Sequence, residues 1–213
     1  MSKKLFAEFL GTFTLIFLGA GAIVSGKADL AGVAFAHGLA IFVMVSALAG
    51  ISGAHFNPAV SAAMFVTKKI CGQDFLYFVL AQLAGAAIAS LALNFIYGSG
   101  NGNGLPAIAE GTSIGAGVLA EILGTALLLF VIFGVAVDKR SVASSHPGLP
   151  IGLTITAVIF SVGPITGAAL NPARWFGPAL VSGNWTNAWV YIVAPIAGAV
   201  LAALTYQAVA KPE

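Results

Sequence analysis

Two Asn-Pro-Ala triplets, Asn57-Pro58-Ala59 and Asn171-Pro172-Ala173, are the residues whose types and spacing point most directly to chemistry. Asparagine is a strong helix N-cap, because its side-chain oxygen accepts a first-turn backbone N–H that has no partner inside the helix. Proline suits the first helical position, where its missing N–H costs nothing. Each triplet therefore starts a helix. The apolar runs that follow, Asn57–Val66 and Asn171–Val181, are about half the ~20 residues that cross a bilayer. A helix N-terminus carries about half a positive charge. Two such ends facing one point would disfavour any cation, a hydrated proton included, while the asparagine amides donate to a passing water or hydroxyl and nearby backbone carbonyls accept.

Other candidates lie around these turns. Arg174 directly follows the second triplet. An arginine at membrane depth is costly and should face a wet cavity, where it offers fixed donors and repels cations; the plain alternative is a snorkelling arginine at a helix end. Glu8 and Glu121 sit at equivalent places in two apolar runs. Each is expected to accept backbone N–H groups of a re-entrant stretch, with proton transfer as the alternative. His55 adjoins the first triplet and is expected to fix its loop and touch the lumen. His146 lies in a loop, either as a solvated residue or as a pH-sensitive one. Cys71 is the single cysteine, has no ligand spacing around it, and reads as structural.

The composition says what must position these residues. The chain is 59% hydrophobic and 8% charged, against roughly 25% charged in a soluble domain, so lipid has to solvate much of its surface. Its 26 glycines suit membrane helices, where small residues let backbones approach closely. A net charge of +2 with no long basic run gives no basis for nucleic-acid binding. Six runs are predicted to span: Leu5–Val24, Leu30–Gly50, Phe75–Tyr97, Ser113–Val137, Leu149–Val162 (short, starting near Pro147) and Ala188–Ala210. The first is too long for a signal peptide and contains Glu8, so it reads as a membrane helix. Residues 98–104, rich in glycine, read as a flexible loop, and Trp185 and Trp189 as interface anchors.

The chain repeats itself. Residues 7–12 match 120–125, residues 52–59 match 166–173, and Ala84-Gly85 matches Ala197-Gly198. Each half thus holds three spans and one half-span in the same order. Three is odd, so the second half should enter from the opposite side, an inverted repeat with its functional site near the midplane. The stretches Ser52–Phe56 and Thr166–Leu170 are non-helical backbone at membrane depth, tolerated only inside protein or beside water. Lys3, Lys4, Lys68, Lys69, Lys139, Arg140 and Lys211 fall on one face of this arrangement and only Lys27 on the other, so both termini should be cytoplasmic.

On the residues 7–12, Ser52–Val60 and Gly163–Arg174, the sequence resembles the major intrinsic protein family, the aquaporins and glycerol facilitators, over nearly its whole length. That family is itself a standing example of selection by pore diameter, hydrogen-bond lining and half-helix dipoles. The resemblance implies an all-α membrane protein, a right-handed bundle of six helices and two half-helices, as one domain over residues 1–213 with repeats at about 1–105 and 113–213. It also implies a homotetramer with a pore in each protomer, in a bilayer such as a bacterial inner membrane. Its constriction has four positions. Arg174 matches one, and ungapped counting gives His37, Ile159 and Ala168 for the others. Ile159 and Ala168 would make an apolar wall, with His37 as the polar contact opposite; a packing histidine is the alternative for His37. This set departs from strict water channels and from glycerol facilitators, and is similar to some plant vacuolar-membrane members that pass water with ammonia, urea or hydrogen peroxide. Trp175 stands where many glycerol facilitators have aspartate, and Tyr191-Ile192 where strict water channels often have an aromatic followed by tryptophan.

The expected function is a passive channel for water and small uncharged solutes that excludes protons and ions. The alternatives are a facilitator of glycerol, urea or ammonia with little water flux, or a non-conducting membrane protein. The sequence has no nucleophile–base pair, metal-ligand cluster or phosphate loop, so no enzyme activity, cofactor or metal is expected.

Overall fold

In lipid, every backbone N–H and C=O has to be paired within the protein, so a chain this apolar must satisfy itself as helices or a closed barrel. The computed structural model describes residues 1–210, and those residues form helices, with no strand among them. Six helices are long and apolar enough to cross a membrane: α1 (Ser2–Val24), α2 (Leu30–Ser52), α4 (Gly72–Tyr97), α5 (Ile114–Val137), α6 (Gly148–Thr166) and α8 (Ala188–Val209). Between them lie two short helices, α3 (Pro58–Val66, 9 residues) and α7 (Pro172–Ser182, 11 residues). Two long helices contain π turns, α1 over Leu15–Ala20 and α5 over Phe133–Val137.

Local chemistry sets the ends. Asp29 and Ser113 cap α2 and α5 by accepting the N–H groups of Gly32 and Ala116. Helices α2 and α6 stop at Gly53 (φ 91°) and Gly167 (φ 79°), left-handed positions that suit glycine. Ser52 and Thr166 are therefore the last helical residues, and the non-helical stretches begin one residue later than the sequence suggested. Helix α6 runs from Gly148 to Thr166, longer than the expected Leu149–Val162. Pro164 lies within its last turn, where it forfeits one hydrogen bond without ending the helix.

Packing follows the repeat. Helix α1 lies on α4 and α5 on α8, while α2 packs on its counterpart α6. Each short helix crosses over: α3 packs on α8 and α7 on α4. Glycines make the closest approaches. A Cβ on Gly85 would run into the Phe9 carbonyl, and one on Gly198 into the Ile122 carbonyl, the same contact in both halves. Gly38 and Gly152 likewise face each other's backbone across the α2–α6 contact. Gly198→Ala is expected to destabilise the fold by about 1–3 kcal/mol through overpacking, with Gly85→Ala costing a similar amount. Thermal unfolding in detergent checks this, and a pair of unchanged melting curves would contradict it.

The outside is apolar: Phe95 is 90% exposed and Leu127 60%. The buried polar groups, Glu8, His37, Gln82, Glu121 and Arg174 among them, lie inside. This is the reverse of a soluble fold, and among the described residues it places polar groups in the bundle interior.

Candidate functional site

The two asparagines bring the halves together. The Asn57 side-chain oxygen accepts the Ala59 N–H at 2.8 Å, and that of Asn171 accepts the N–H groups of Ala173 and Arg174 at 2.9 and 3.3 Å. This fixes which end of each amide is oxygen. Asn57 Nδ2 then donates to the Leu170 carbonyl, and Asn171 Nδ2 to the Phe56 carbonyl, each at 2.9 Å. The N-termini of α3 and α7 therefore meet and are tied reciprocally. Each amide has two N–H groups, so one per asparagine is left over, and both residues line the same cavity.

The approach to each triplet is strained in the same way. Ala54, Phe56, Ala168 and Leu170 have φ of 53°, 51°, 44° and 54°. A left-handed non-glycine residue costs roughly 1–3 kcal/mol. Two buried carboxylates offset this. Glu8 accepts from the Ser52 hydroxyl (2.6 Å), the His55 and Phe56 N–H groups (3.0 and 2.7 Å) and Gln82 Nε2 (2.7 Å). Glu121 accepts from the Thr166 hydroxyl (2.6 Å) and the Ala169 and Leu170 N–H groups (2.9 and 2.8 Å). Seven hydrogen bonds to these two carboxylates hold the four strained residues in place.

Arg174 is 2% exposed. Its Nε donates to His37 Nε2 at 3.0 Å and its Nη1 to the Gly104 carbonyl at 2.8 Å. His37 Nδ1 in turn lies 2.8 Å from the Val33 carbonyl. A neutral imidazole with its hydrogen on Nδ1 satisfies both contacts. Two of the arginine's five N–H groups are spent and three remain. His37 is thus bonded to Arg174 and its ring acceptor is occupied, so it does not stand as a free polar contact for a solute. Ile159 and Ala168 line the same cavity as this pair.

That cavity, of about 370 Å³, runs from His37, Ile159, Ala168 and Arg174 past Asn57, Asn171 and His55 to Lys4, Lys69 and Asp74. His55 Nδ1 is 3.0 Å from the Ser61 hydroxyl, and its ring meets Phe78 edge-on at 5.2 Å. His146 is exposed, beside the Ser145 hydroxyl at 3.0 Å, and Cys71 is exposed at the N-cap of α4. The basic end gathers Lys4, Lys69 and Arg140; Lys211 lies outside the described residues. There the Arg140 guanidinium beside Asp138 holds its carboxyl well below the usual carboxylate range.

Several contributors carried no assigned role in the sequence. Ser52 and Thr166 stand inside the matched blocks as paired hydroxyls, a signal that was available. Gln82 and Ser61 have no such pairing, since Pro195 and Trp175 occupy their counterparts. Gly104 contributes a carbonyl, which no side-chain pattern reveals. Its loop is also not loose there, because Asn103 is 2% exposed and Gly104 is buried within the short turn Gly102–Gly104. Trp175 is buried and stacks on Tyr191 at 5.6 Å, whose hydroxyl donates to the Thr166 carbonyl at 3.0 Å.

An apolar helical bundle enclosing a long cavity, with two helix ends meeting beside it and a few polar groups aimed into it, has the build of a membrane channel. The sequence model of the family described as "Major intrinsic protein" matches residues 1–206. The chain is 40% identical to the aquaporin AqpM of Methanothermobacter thermautotrophicus, over 97% of both chains. It is 42% identical to the glycerol uptake facilitator protein-like 6 of Lactiplantibacillus plantarum (94% of this chain, 95% of the other) and to the aquaporin NIP1-1 of Zea mays (96% and 73%). Its fold matches the X-ray structure of the aquaglyceroporin from Plasmodium falciparum with a TM-score of 0.89, at 28% identity over 99% of this chain and 97% of that one. The chain belongs to the major intrinsic protein family. It is a multi-pass membrane protein and a passive channel for water and small uncharged solutes.

Proposed function

We propose that the channel excludes protons and ions at the meeting point of α3 and α7, and selects among neutral solutes at His37, Ile159, Ala168 and Arg174. The reciprocal bonds between Asn57 and the Leu170 carbonyl, and between Asn171 and the Phe56 carbonyl, carry this reading. They leave each asparagine one N–H toward the lumen and bring two positive helix ends to one point. A water held there accepts from both amides, which turns its own hydrogens away along the pore and interrupts a proton relay. The residues act as one domain over 1–213, two inverted repeats at about 1–105 and 113–213. Seven of the eight cations outside α7 fall on one face by sequence, which supports cytoplasmic termini in a cell inner membrane. The apolar outer face, and the homotetramer that the family resemblance implies, support a homotetramer. Membership of the major intrinsic protein family supports transport without catalysis.

Stopped-flow light scattering on proteoliposomes, with water, glycerol, urea and ammonia, tests this. Water flux well above empty liposomes is expected. Water flux at the empty-liposome level with solute flux intact would replace the reading with a solute facilitator, and no flux at all would overturn conduction. His37→Phe fills the constriction and removes an acceptor from Arg174. It is expected to lower the flux of the larger solutes by about tenfold while water flux is kept. Unchanged solute flux would mean that His37 does not line the constriction.

A further inference from the structure

We infer that the π turn Leu15–Ala20 of α1 is the seat of the constriction, with Gly19 and Ala20 as positioning residues that fix both acceptors of Arg174. This rests on the reading of His37 and Arg174 as constriction residues. A π turn carries one residue more than an α turn, and such turns recur at functional sites. Here it places a bare backbone under the His37 ring. A Cβ on Gly19 would lie 2.5 Å from His37 Cδ2 and 2.6 Å from its Nε2, the atom that accepts from Arg174. The next residue holds the other acceptor. A Cβ on Gly104 would lie 3.0 Å from the Ala20 Cβ and 3.1 Å from its carbonyl oxygen, so the Gly104 backbone rests on Ala20. His37 Nε2 and the Gly104 carbonyl are thus braced by consecutive residues of one wide turn.

The second half differs at the matched place. The residues of α5 that correspond to Leu15–Gly19 lie in regular α-helix, and the π turn there starts at Phe133, the counterpart of Ala20. The counterpart of Gly19 is Ile132, so only the first half presents a bare backbone at that position. That bare position fixes how far the imidazole and guanidinium reach into the lumen. Residue 19 therefore sets selectivity without touching the solute.

The test is flux through Gly19→Ala, read as the ratio of solute to water for the largest of glycerol, urea or ammonia that the wild-type channel passes, or as water flux itself if only water passes. A methyl on Gly19 pushes the His37 ring toward the lumen, and the reading is expected to fall about tenfold. Gly21→Ala, whose added Cβ meets only Leu93 Cδ2 at 3.3 Å, is expected to leave it unchanged. In a His37→Ala background Gly19→Ala should have no further effect, because no ring is left to displace. If His37→Ala itself leaves the reading unchanged, the constriction reading fails. If His37→Ala changes it but Gly19→Ala does not, or acts equally in both backgrounds, the seat is overturned while the constriction stands. Should Gly19→Ala fail to fold, the double variant decides: recovery supports the seat, and failure beside a folded His37→Ala overturns it.

Discussion

Replacing Arg174 with alanine should make the channel leak small cations. The guanidinium is a fixed positive charge, 2% exposed, held at Nε and Nη1 by His37 and Gly104. A unit charge acting on a cation 4 Å away costs it about 4 kcal/mol at an effective dielectric constant of 20, roughly a thousandfold in entry rate. The dipoles of α3 and α7 remain in the mutant, so the gain in cation flux falls short of the full removal of a barrier. The variant also empties space beside Ala168 and Ile159, so larger neutral solutes should pass faster. Conductance across planar bilayers, alongside solute flux in vesicles, measures both. A mutant with wild-type ion tightness would remove Arg174 from the charge barrier. Arg174→Lys keeps the charge but lacks the planar fork. It should stay tight to cations yet change the ratio of solute to water, because one compact ammonium cannot hold both acceptors in place.

The second large effect is expected at Glu8, which does not itself line the cavity. Four donors converge on its two oxygens. In Glu8→Gln one oxygen becomes an NH₂ group, which faces either the Phe56 N–H and Gln82 Nε2 or the Ser52 hydroxyl and His55 N–H. The hydroxyl can rotate to accept, but a backbone N–H cannot. At least one buried donor is stranded, at about 1–3 kcal/mol, and the charge-assisted bonds weaken. Ala54 and Phe56 then stay strained with less to hold them, and the N-terminus of α3 loses its register against Leu170. We expect a loss of several kcal/mol and water flux near the empty-liposome level. Glu121→Gln should cost less, since Glu121 serves three donors. Equal stability of Glu8→Gln and wild type in detergent unfolding would contradict the bracing role.

Much of this was legible in the sequence because it depends on period and spacing. Six apolar runs of bilayer length, two Asn-Pro starts and a repeat near 113 residues dictate the helices, and the structure departs from the expected ends by a few residues. The largest difference is α6 reaching Thr166 where Val162 was expected, through a last turn in which the helix tolerates Pro164. The loop around Gly104 misled for another reason. Its glycines permit flexibility, but at its end Gly104 is buried against Ala20 and its carbonyl is held by Arg174.

The residues near the constriction divide the same way. Counting from the triplets gave His37, Ile159, Ala168 and Arg174, since register along a helix is fixed by residue number, and all four line one cavity. Counting does not say what a side chain bonds to. That His37 gives its acceptor to Arg174, that each asparagine spends one N–H on the opposite half, and that a bare turn of α1 backs the His37 ring are all contacts between segments far apart in the chain. Sequence alone determined the lipid-solvated helices, the repeat and which residues share a depth, because those follow from hydropathy and periodicity. Only the tertiary structure decided which donors remain free in the lumen, because that depends on partners brought together by packing.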